Sequence, residues 1–217
     1  MTTNATQTPQ PVLEHIEEML FEKGYRAVCG VDEVGRGPLA GPVVAAAVVL
    51  PENLFIDGLT DSKLMSAQQR DEIFIQIAEF GIPCAIGIID HETIDRINIL
   101  KASLLAMRKA VMDINPGPDC VIVDGKYTIP NLTLPQYAVV NGDFSCKAVS
   151  AASVVAKVTR DRIMDRMGKL YADFSFSRHK GYCTRAHLEE LHKFGPCEIH
   201  RKSYAPVAEI LNQYALF

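Results

Sequence analysis

Apolar residues recur along this chain with two periods, and each predicts a different element. Short apolar runs bounded by Gly, Pro or Asp read as strands: Arg26 to Val34, Pro42 to Leu50, Pro83 to Asp90, Cys120 to Val123 and Tyr137 to Val140. Longer stretches with a period near 3.6 read as helices. Leu13 to Lys23 is one, with Gly24 as its C-cap, and Ser66 to Phe80 another, with Ser66 as its N-cap. His91 to Ile114 puts Ile94, Ile97, Leu100, Leu104 and Met107 on one face. Cys146 to Leu170 is a long helix whose stripe of Ala148, Ala151, Ala152 and Val155 suits close packing on a sheet. Further helices fall within Gly181 to Phe194 and over Val207 to Leu216. The short loop between the first two strands predicts an antiparallel pair. The order of three strands followed by alternating helices and strands predicts an α/β fold, a mixed sheet with helices on its faces. No internal repeat or low-complexity linker interrupts it.

Length and composition narrow this picture. A chain of 217 residues with 48% hydrophobic content suits one domain with a small appendage. No apolar run is long enough to span a bilayer. The first 11 residues are polar and lack a signal-peptide apolar segment, so they read as a loose tail and the expected compartment is the cytoplasm. Cys29, Cys84, Cys120, Cys146, Cys183 and Cys197 include no C-x-x-C pair; the first three lie in or beside apolar runs and read as buried thiols. The six His show no zinc-like spacing.

Net charge is −4, but its distribution is uneven. Ala156 to Ser203 holds 11 of the 22 Lys and Arg and only 6 of the 26 Asp and Glu, which makes that segment +5 and the remainder −9. One basic face of this kind fits a phosphate-backbone partner.

The candidate chemistry sits where strands end. Asp32 and Glu33 close the first apolar run, and Gly35, Arg36, Gly37 and Gly41 follow. Buried carboxylates need a cation or a donor, Gly permits close backbone approach, and Arg offers a donor fork shaped for phosphate. Taken alone, the same residues also read as a solvated turn and an ordinary Gly-rich loop. Asp124 and Asp143 end two further strands, each singly a common turn residue. Gathered at one sheet edge, the four acids fit a two-metal phosphoryl-transfer site, with ions roughly 3.5–4 Å apart.

The motifs together resemble those of bacterial ribonuclease HII, from about Glu18 to Leu211. They are Gly-Val-Asp-Glu-Val-Gly-Arg-Gly-Pro-Leu-Ala-Gly (30–41), Asp-Ser-Lys (61–63), Val-Asp-Gly (123–125), Gly-Asp (142–143), Ala-Ala-Ser-Val-Val-Ala-Lys-Val-Thr-Arg-Asp (151–161), His-Lys-Gly-Tyr-Cys-Thr (179–184) and His-Arg-Lys-Ser-Tyr-Ala-Pro-Val (200–207). Asn141 departs from the pattern, standing where many relatives carry Lys or Gly; phosphate-side charge there is either missing or supplied by Lys147.

The resemblance implies a ribonuclease H-like domain over 13–170, a helical substrate-binding subdomain over 171–217, and a flexible tail over 1–12. It implies a monomeric endoribonuclease that cleaves RNA in RNA/DNA hybrids and nicks 5′ to ribonucleotides embedded in duplex DNA, leaving 5′-phosphate and 3′-hydroxyl ends. Asp32, Glu33, Asp124 and Asp143 would hold two Mn²⁺ or Mg²⁺ ions. Gly35, Arg36 and Gly37 would approach the 2′-hydroxyl through backbone atoms. Tyr182 would stack on the sugar at the RNA-to-DNA junction, and Ser62, Lys63, His179, Lys180, Arg201 and Lys202 would contact phosphates. Arg160 and Asp161 read as a surface charge pair or cap partner, outside the catalytic set. Two other classes stay in view. A binding module without catalysis would lack an acid, and a nucleotide-binding enzyme would need the G-x-x-x-x-G-K pattern that the loop does not have. The last residues, with Gln213, Leu216 and Phe217, resemble the peptides by which bacterial replication and repair proteins dock on the sliding clamp.

Overall fold

A computed structural model describes residues 16–60 and 62–214. The expected tail, Asp61, Leu216 and Phe217 lie outside the described residues. In chain order the elements are α1 (Ile16–Glu22), β1 (Val28–Val34), β2 (Val43–Val49), α2 (Ala67–Glu79), β3 (Cys84–Ile89), α3 (His91–Ile97), α4 (Ile99–Asp113), β4 (Cys120–Asp124), β5 (Gln136–Val139), α5 (Gly142–Ser145), α6 (Lys147–Leu170), α7 (Phe176–His179), α8 (Arg185–Phe194) and α9 (Ala205–Tyr214).

All five strands join one mixed sheet in the order β3-β2-β1-β4-β5. β1 pairs antiparallel with β2 across the expected short loop, and β2 with β3; β1 and β4, and β4 and β5, run parallel. Strand alternation divides the interior. Cys29, Val31, Val121 and Val123 face a cluster closed by Ala102, Ala106, Met107 and Ala110 of α4. On the other face, Ala46 and Val48 meet Ala148, Ala151, Ala152 and Val155 of α6, together with Ile73 and Ile77 of α2.

Each face has one glycine beneath its principal helix. A Cβ at Gly30 would lie 2.1 Å from the Ala148 carbonyl carbon, and one at Gly87 would lie 1.9 Å from the Ala106 oxygen. The small-residue stripe predicted for α6 is therefore half of the contact, and Gly30 is the other half. The N-terminus of α6 is held from a distance: Glu17 of α1 accepts the Lys147 and Ala148 N–H groups at 2.8 and 2.7 Å.

Two expectations are corrected. The single helix over His91 to Ile114 is two, because Asn98 takes φ 69° and caps α4 by accepting the Lys101 N–H. The break turns the helix face, so Ala102, Ala106, Met107 and Ala110 are buried, while Ile97, Leu100 and Leu104 are only half-buried. Cys84, read as buried, is exposed at the start of β3; Cys29 and Cys120 are buried.

Gly30→Ala should destabilise the fold by about 3 kcal/mol, the upper end of overpacking costs, because the obstacle is backbone that cannot change rotamer. Urea unfolding checks this; a loss under about 1 kcal/mol would mean that α6 can lift off the sheet easily.

Candidate active site

The β1–β4 register, in which Val31 pairs with Val123, places Asp32 beside Asp124 one residue further along. Strand parity points both towards the α6 face, where the two carboxyl groups interact. Asp143, expected at the end of a strand, is not on one: β5 ends at Val139, and Asp143 lies in the first turn of α5, from which its charge acts on Asp124. Asp32, Glu33 and Asp124 line a cleft of about 360 Å³ with Val34, Ser62, Lys63, Arg70, Ser153, Lys157 and Tyr182.

The acids are crowded. Burial, then the charges of Glu33 and Asp124, raise the Asp32 carboxyl well above its ordinary range. Burial is also the main cause raising Glu33 and Asp124; Arg36 opposes it at Glu33, and the Gly142 N–H and Lys63 oppose it at Asp124. Partial compensation comes from Arg36, 3.1 Å from Glu33, and from Lys63, whose ammonium lies 2.6 Å from Asp143. Among the described residues, no three acidic, imidazole or thiol groups converge on one point. The donor set nevertheless fits divalent cations: hard carboxylate oxygens, more of them than the local cations offset, at the floor of an open cleft.

Behind the cleft, two arginines hold the Gly-rich loop. Arg201 donates to the carbonyls of Gly35 at 2.6 Å, Arg36 at 3.0 Å and Gly41 at 2.9 and 3.0 Å, and also to the Tyr204 hydroxyl. Arg160 donates to the carbonyls of Pro42, Lys180 and Ala40 at 3.0, 3.0 and 3.2 Å. Both side chains are fully buried. Burial lowers their pKa values, that of Arg160 to about 10, so both stay charged at neutral pH. These placements correct two expectations: Arg201 is not aimed at phosphate, and Arg160 is not a surface residue. Both are spent on carbonyls that the bend of the loop turns inward.

The glycines of the loop divide by cause. A Cβ at Gly35 would meet Arg160 Nε at 2.3 Å, and one at Gly41 would meet Met164 Sδ at 2.5 Å, at φ values of 99° and 82°. At Gly37 the nearest atom would be Tyr182 Cε1, at 3.9 Å. Packing within the protein does not require glycine at 37, whereas a ligand approaching the backbone would.

The other expected contacts separate by exposure. Ser62 is buried, its hydroxyl 2.8 Å from that of Ser153. His179 is buried against Glu190 at 2.9 Å. Lys180 is half-buried and pairs with Asp165. Arg36, Lys63 and Lys202 are exposed, and Tyr182 is 38% exposed at the cleft wall. Asn141 takes φ 58°, a left-handed conformation that suits Asn or Gly, so backbone shape rather than charge explains the residue there.

Three cleft residues were given no role by the sequence. Ser153 hydrogen-bonds Asp32 and Ser62. Arg70 donates to the carbonyls of Ser62 and Met65, holding the loop that carries Lys63. Lys157 pairs with Asp161 one turn along α6. Ser153 and Lys157 are four residues apart on one helix face, which was a legible signal; nothing local marks Arg70.

A mixed sheet with carboxylates at adjacent strand ends, beside a long helix and a glycine loop, is the architecture of nucleases of the ribonuclease H type. The sequence model described as Ribonuclease HII matches residues 29–207, and the chain belongs to the ribonuclease HII family. It is 46% identical over 189 residues to a ribonuclease HII of Caldicellulosiruptor saccharolyticus, covering 87% of this chain and 92% of that one. The solved ribonuclease H2 of Pyrococcus horikoshii OT3 superposes with TM-score 0.71 at 25% identity, over 87% of this chain and 98% of that one. Ribonuclease HII of Archaeoglobus fulgidus, solved as a complex with PCNA, superposes with TM-score 0.65 at 24% identity, over 84% and 96%. The chain is therefore a nuclease, a hydrolase, of a divalent-metal-dependent family. No described helix is long and apolar enough to cross a membrane.

Asp32→Asn should stabilise the protein when divalent ions are chelated. The raised pKa of Asp32 means that its ionised form weakens the fold at neutral pH, so neutralising it should raise the urea midpoint. The gain should shrink as pH falls towards the unfolded carboxylate value of about 3.9, where wild type is neutral too. Urea unfolding in EDTA at several pH values checks this; a loss of stability at pH 7 would show that the carboxylate is well compensated.

Proposed function

We propose that the chain cleaves the RNA strand of RNA/DNA hybrids and nicks 5′ to ribonucleotides embedded in duplex DNA, leaving 5′-phosphate and 3′-hydroxyl ends. The observation that carries this reading is the meeting of Tyr182 and the Gly35–Gly41 loop at the wall of the acid cleft. An acid cleft alone would suit any metal-dependent phosphodiesterase. A backbone loop open at Gly37 beside a half-exposed aromatic adds a place to recognise a sugar, and the 2′-hydroxyl is what distinguishes RNA from DNA.

In this reading Asp32, Glu33, Asp124 and Asp143 hold two divalent ions, Mn²⁺ or Mg²⁺. When bound, such ions supply an activated water and neutralise charge on the leaving oxygen. The protein's own residues do the positioning. Asp32 is oriented by the Glu33 N–H at 2.7 Å and by Ser153, and Asp124 by the Gly142 N–H at 2.8 Å. Arg36, Lys63 and Lys202 take phosphates, Gly35 to Gly37 present backbone to the 2′-hydroxyl, and Tyr182 stacks on the sugar at the junction. Residues 171–217 serve as a substrate-binding subdomain.

The test is a duplex holding one ribonucleotide, incubated with the protein and Mg²⁺ or Mn²⁺. A nick 5′ to the ribonucleotide is expected. Asp124→Asn should fold yet lose at least about 100-fold in rate, as removal of a metal-holding carboxylate implies, and should bind Mn²⁺ more weakly in calorimetry. Near-wild-type cleavage and binding would remove Asp124 from the site, and absence of any nick by wild type would favour a binding module.

The C-terminal peptide is proposed to dock on a sliding clamp, with Gln213 at the rim and Leu216 and Phe217 in an apolar pocket. The PCNA complex of the Archaeoglobus fulgidus relative supports a clamp as the kind of partner. Gln213 is exposed at the end of α9. Deleting residues 213–217 should abolish clamp binding in a titration and spare cleavage of free oligonucleotides. Full-length protein that shows no binding at tens of micromolar would refute docking; this concentration corresponds to about −6 to −7 kcal/mol.

A further inference from the structure

The turn that carries Tyr182 is fixed at almost every backbone polar group. Lys180 and Gly181 take φ values of 51° and 81°. Arg160 holds the Lys180 carbonyl, and the Leu39 N–H donates to the Gly181 carbonyl at 2.7 Å. The Gly181 N–H donates to His179 Nδ1 at 3.1 Å, and the Tyr182 N–H to the His179 carbonyl at 2.8 Å. The Tyr182 carbonyl receives the Thr184 N–H and faces His187 Nδ1 at 2.9 Å.

That last contact determines the protons of two buried imidazoles. A carbonyl only accepts, so His187 Nδ1 carries hydrogen, and a neutral His187 has a bare Nε2. His200 Nε2, 3.0 Å away, must then be the donor. His200 Nδ1 is left bare and accepts the Cys197 N–H at 2.9 Å; it also lies 3.1 Å from Cys197 Sγ, whose thiol can donate, and 3.2 Å from the Cys197 carbonyl, the one neighbour a bare nitrogen does not satisfy. The shorter N–H contact and the lock at His187 decide the tautomer. Both rings are fully buried, and His187 stacks on His179 at 4.2 Å. Burial, then the neighbouring His187, lowers His200 to about 4, consistent with a neutral pair. The far end of the chain of bonds lies on the substrate loop: His200 pairs with Ala40 in an isolated bridge, and Arg201 follows it.

We propose that His187 and His200 are positioning residues: a tautomer-locked link that sets Tyr182 against the Gly35–Gly41 loop and thereby favours a single embedded ribonucleotide over a continuous hybrid. The link rests on the reading of Tyr182 as the junction contact. A stacking ring and a 2′-hydroxyl reader act together only at fixed separation, and these two elements come from opposite ends of the sequence. Two donors or two acceptors between the imidazoles would push them apart.

Two measurements test it. Imidazole nitrogen NMR of the wild-type protein at pH 7 should show His187 as the Nδ1–H tautomer and His200 as the Nε2–H tautomer. Any other pairing, or an imidazolium at either ring, overturns the link. In kinetics, His187→Leu should lower the ratio of single-ribonucleotide to long-hybrid cleavage about fivefold, the low end of what one base–aromatic stack supplies. His187→Asn keeps an N–H for the Tyr182 carbonyl but leaves His200 Nε2 without its partner, so it should lower the ratio about as far as His187→Leu; a ratio within about twofold of wild type would place the positioning in the Tyr182 contact alone and overturn the link to His200. In a Tyr182→Ala background, His187→Leu should change the ratio no further, as expected of residues that act as a unit. If Tyr182→Ala shifts the ratio and His187→Leu does not, or if the two effects add, the link is wrong. If Tyr182→Ala leaves the ratio unchanged, the junction reading fails and the proposed selectivity fails with it, even where the tautomers are as stated. Should His187→Leu not fold, the tautomer assignment and His187→Asn still decide.

Discussion

Two buried guanidinium groups without a carboxylate set the geometry of this site. Removing a cation from water costs several kcal/mol, and here backbone carbonyls offset most of it, with help from the Tyr204 hydroxyl and from the Tyr204 and Tyr182 rings. Arg201 gathers the carbonyls of Gly35, Arg36 and Gly41, and Arg160 those of Ala40, Pro42 and Lys180. Each carbonyl drawn inward fixes a peptide plane, so the loop has little freedom left. The charge remains, since no acid neutralises either group among the described residues. A loop built this way is both rigid and electropositive from behind, as the approach of a polyanion requires. The planar fork of Arg, with five donors, is what makes one side chain sufficient for several carbonyls.

The acids stand on the opposite principle. They are buried beside one another and raised in pKa, so their arrangement weakens the fold wherever they are ionised. The sheet tolerates this because it is over-determined nearby: Gly30 lets the α6 backbone press onto β1, and Ser150 and Ser153 of the same helix bond the Thr60 carbonyl and the Ser62 hydroxyl. Helix α6 thus supports the acids and the Lys63 loop from one surface.

Much of this was legible in the sequence. The five strands and the long helix follow from their apolar runs, and Asp32, Glu33 and Asp124 stood out because strand ends collect functional residues; Asp143 read the same way but belongs to α5. What was not legible depends on distance along the chain. Arg160 and Arg201 looked like surface cations, since nothing local announces that carbonyls about 120 to 165 residues away will surround them. His179 and Ser62 read as phosphate contacts because their polarity was visible and their partners, Glu190 and Ser153, were not. The break at Asn98 was hidden because apolar spacing continued across it while the backbone did not. In each case the residue type was informative, and tertiary packing decided which atoms it served.

The stitching of the Gly35–Gly41 loop to residues 181 and 199–201 also has a meaning in time. The Leu39 N–H reaches the Gly181 carbonyl, the Gly41 N–H reaches the Ile199 carbonyl, and the Arg201 N–H reaches the Leu39 carbonyl. On a ribosome, a growing chain would acquire all four acids well before it acquires the residues that hold the loop still. Domains fold from the N-terminal side as they emerge, so the nascent protein passes through a stage with its carboxylates made and its Gly35–Gly41 loop unfastened. Residues 181 to 201 close that loop, so in the order of synthesis the loop is fastened only after the acids are in place.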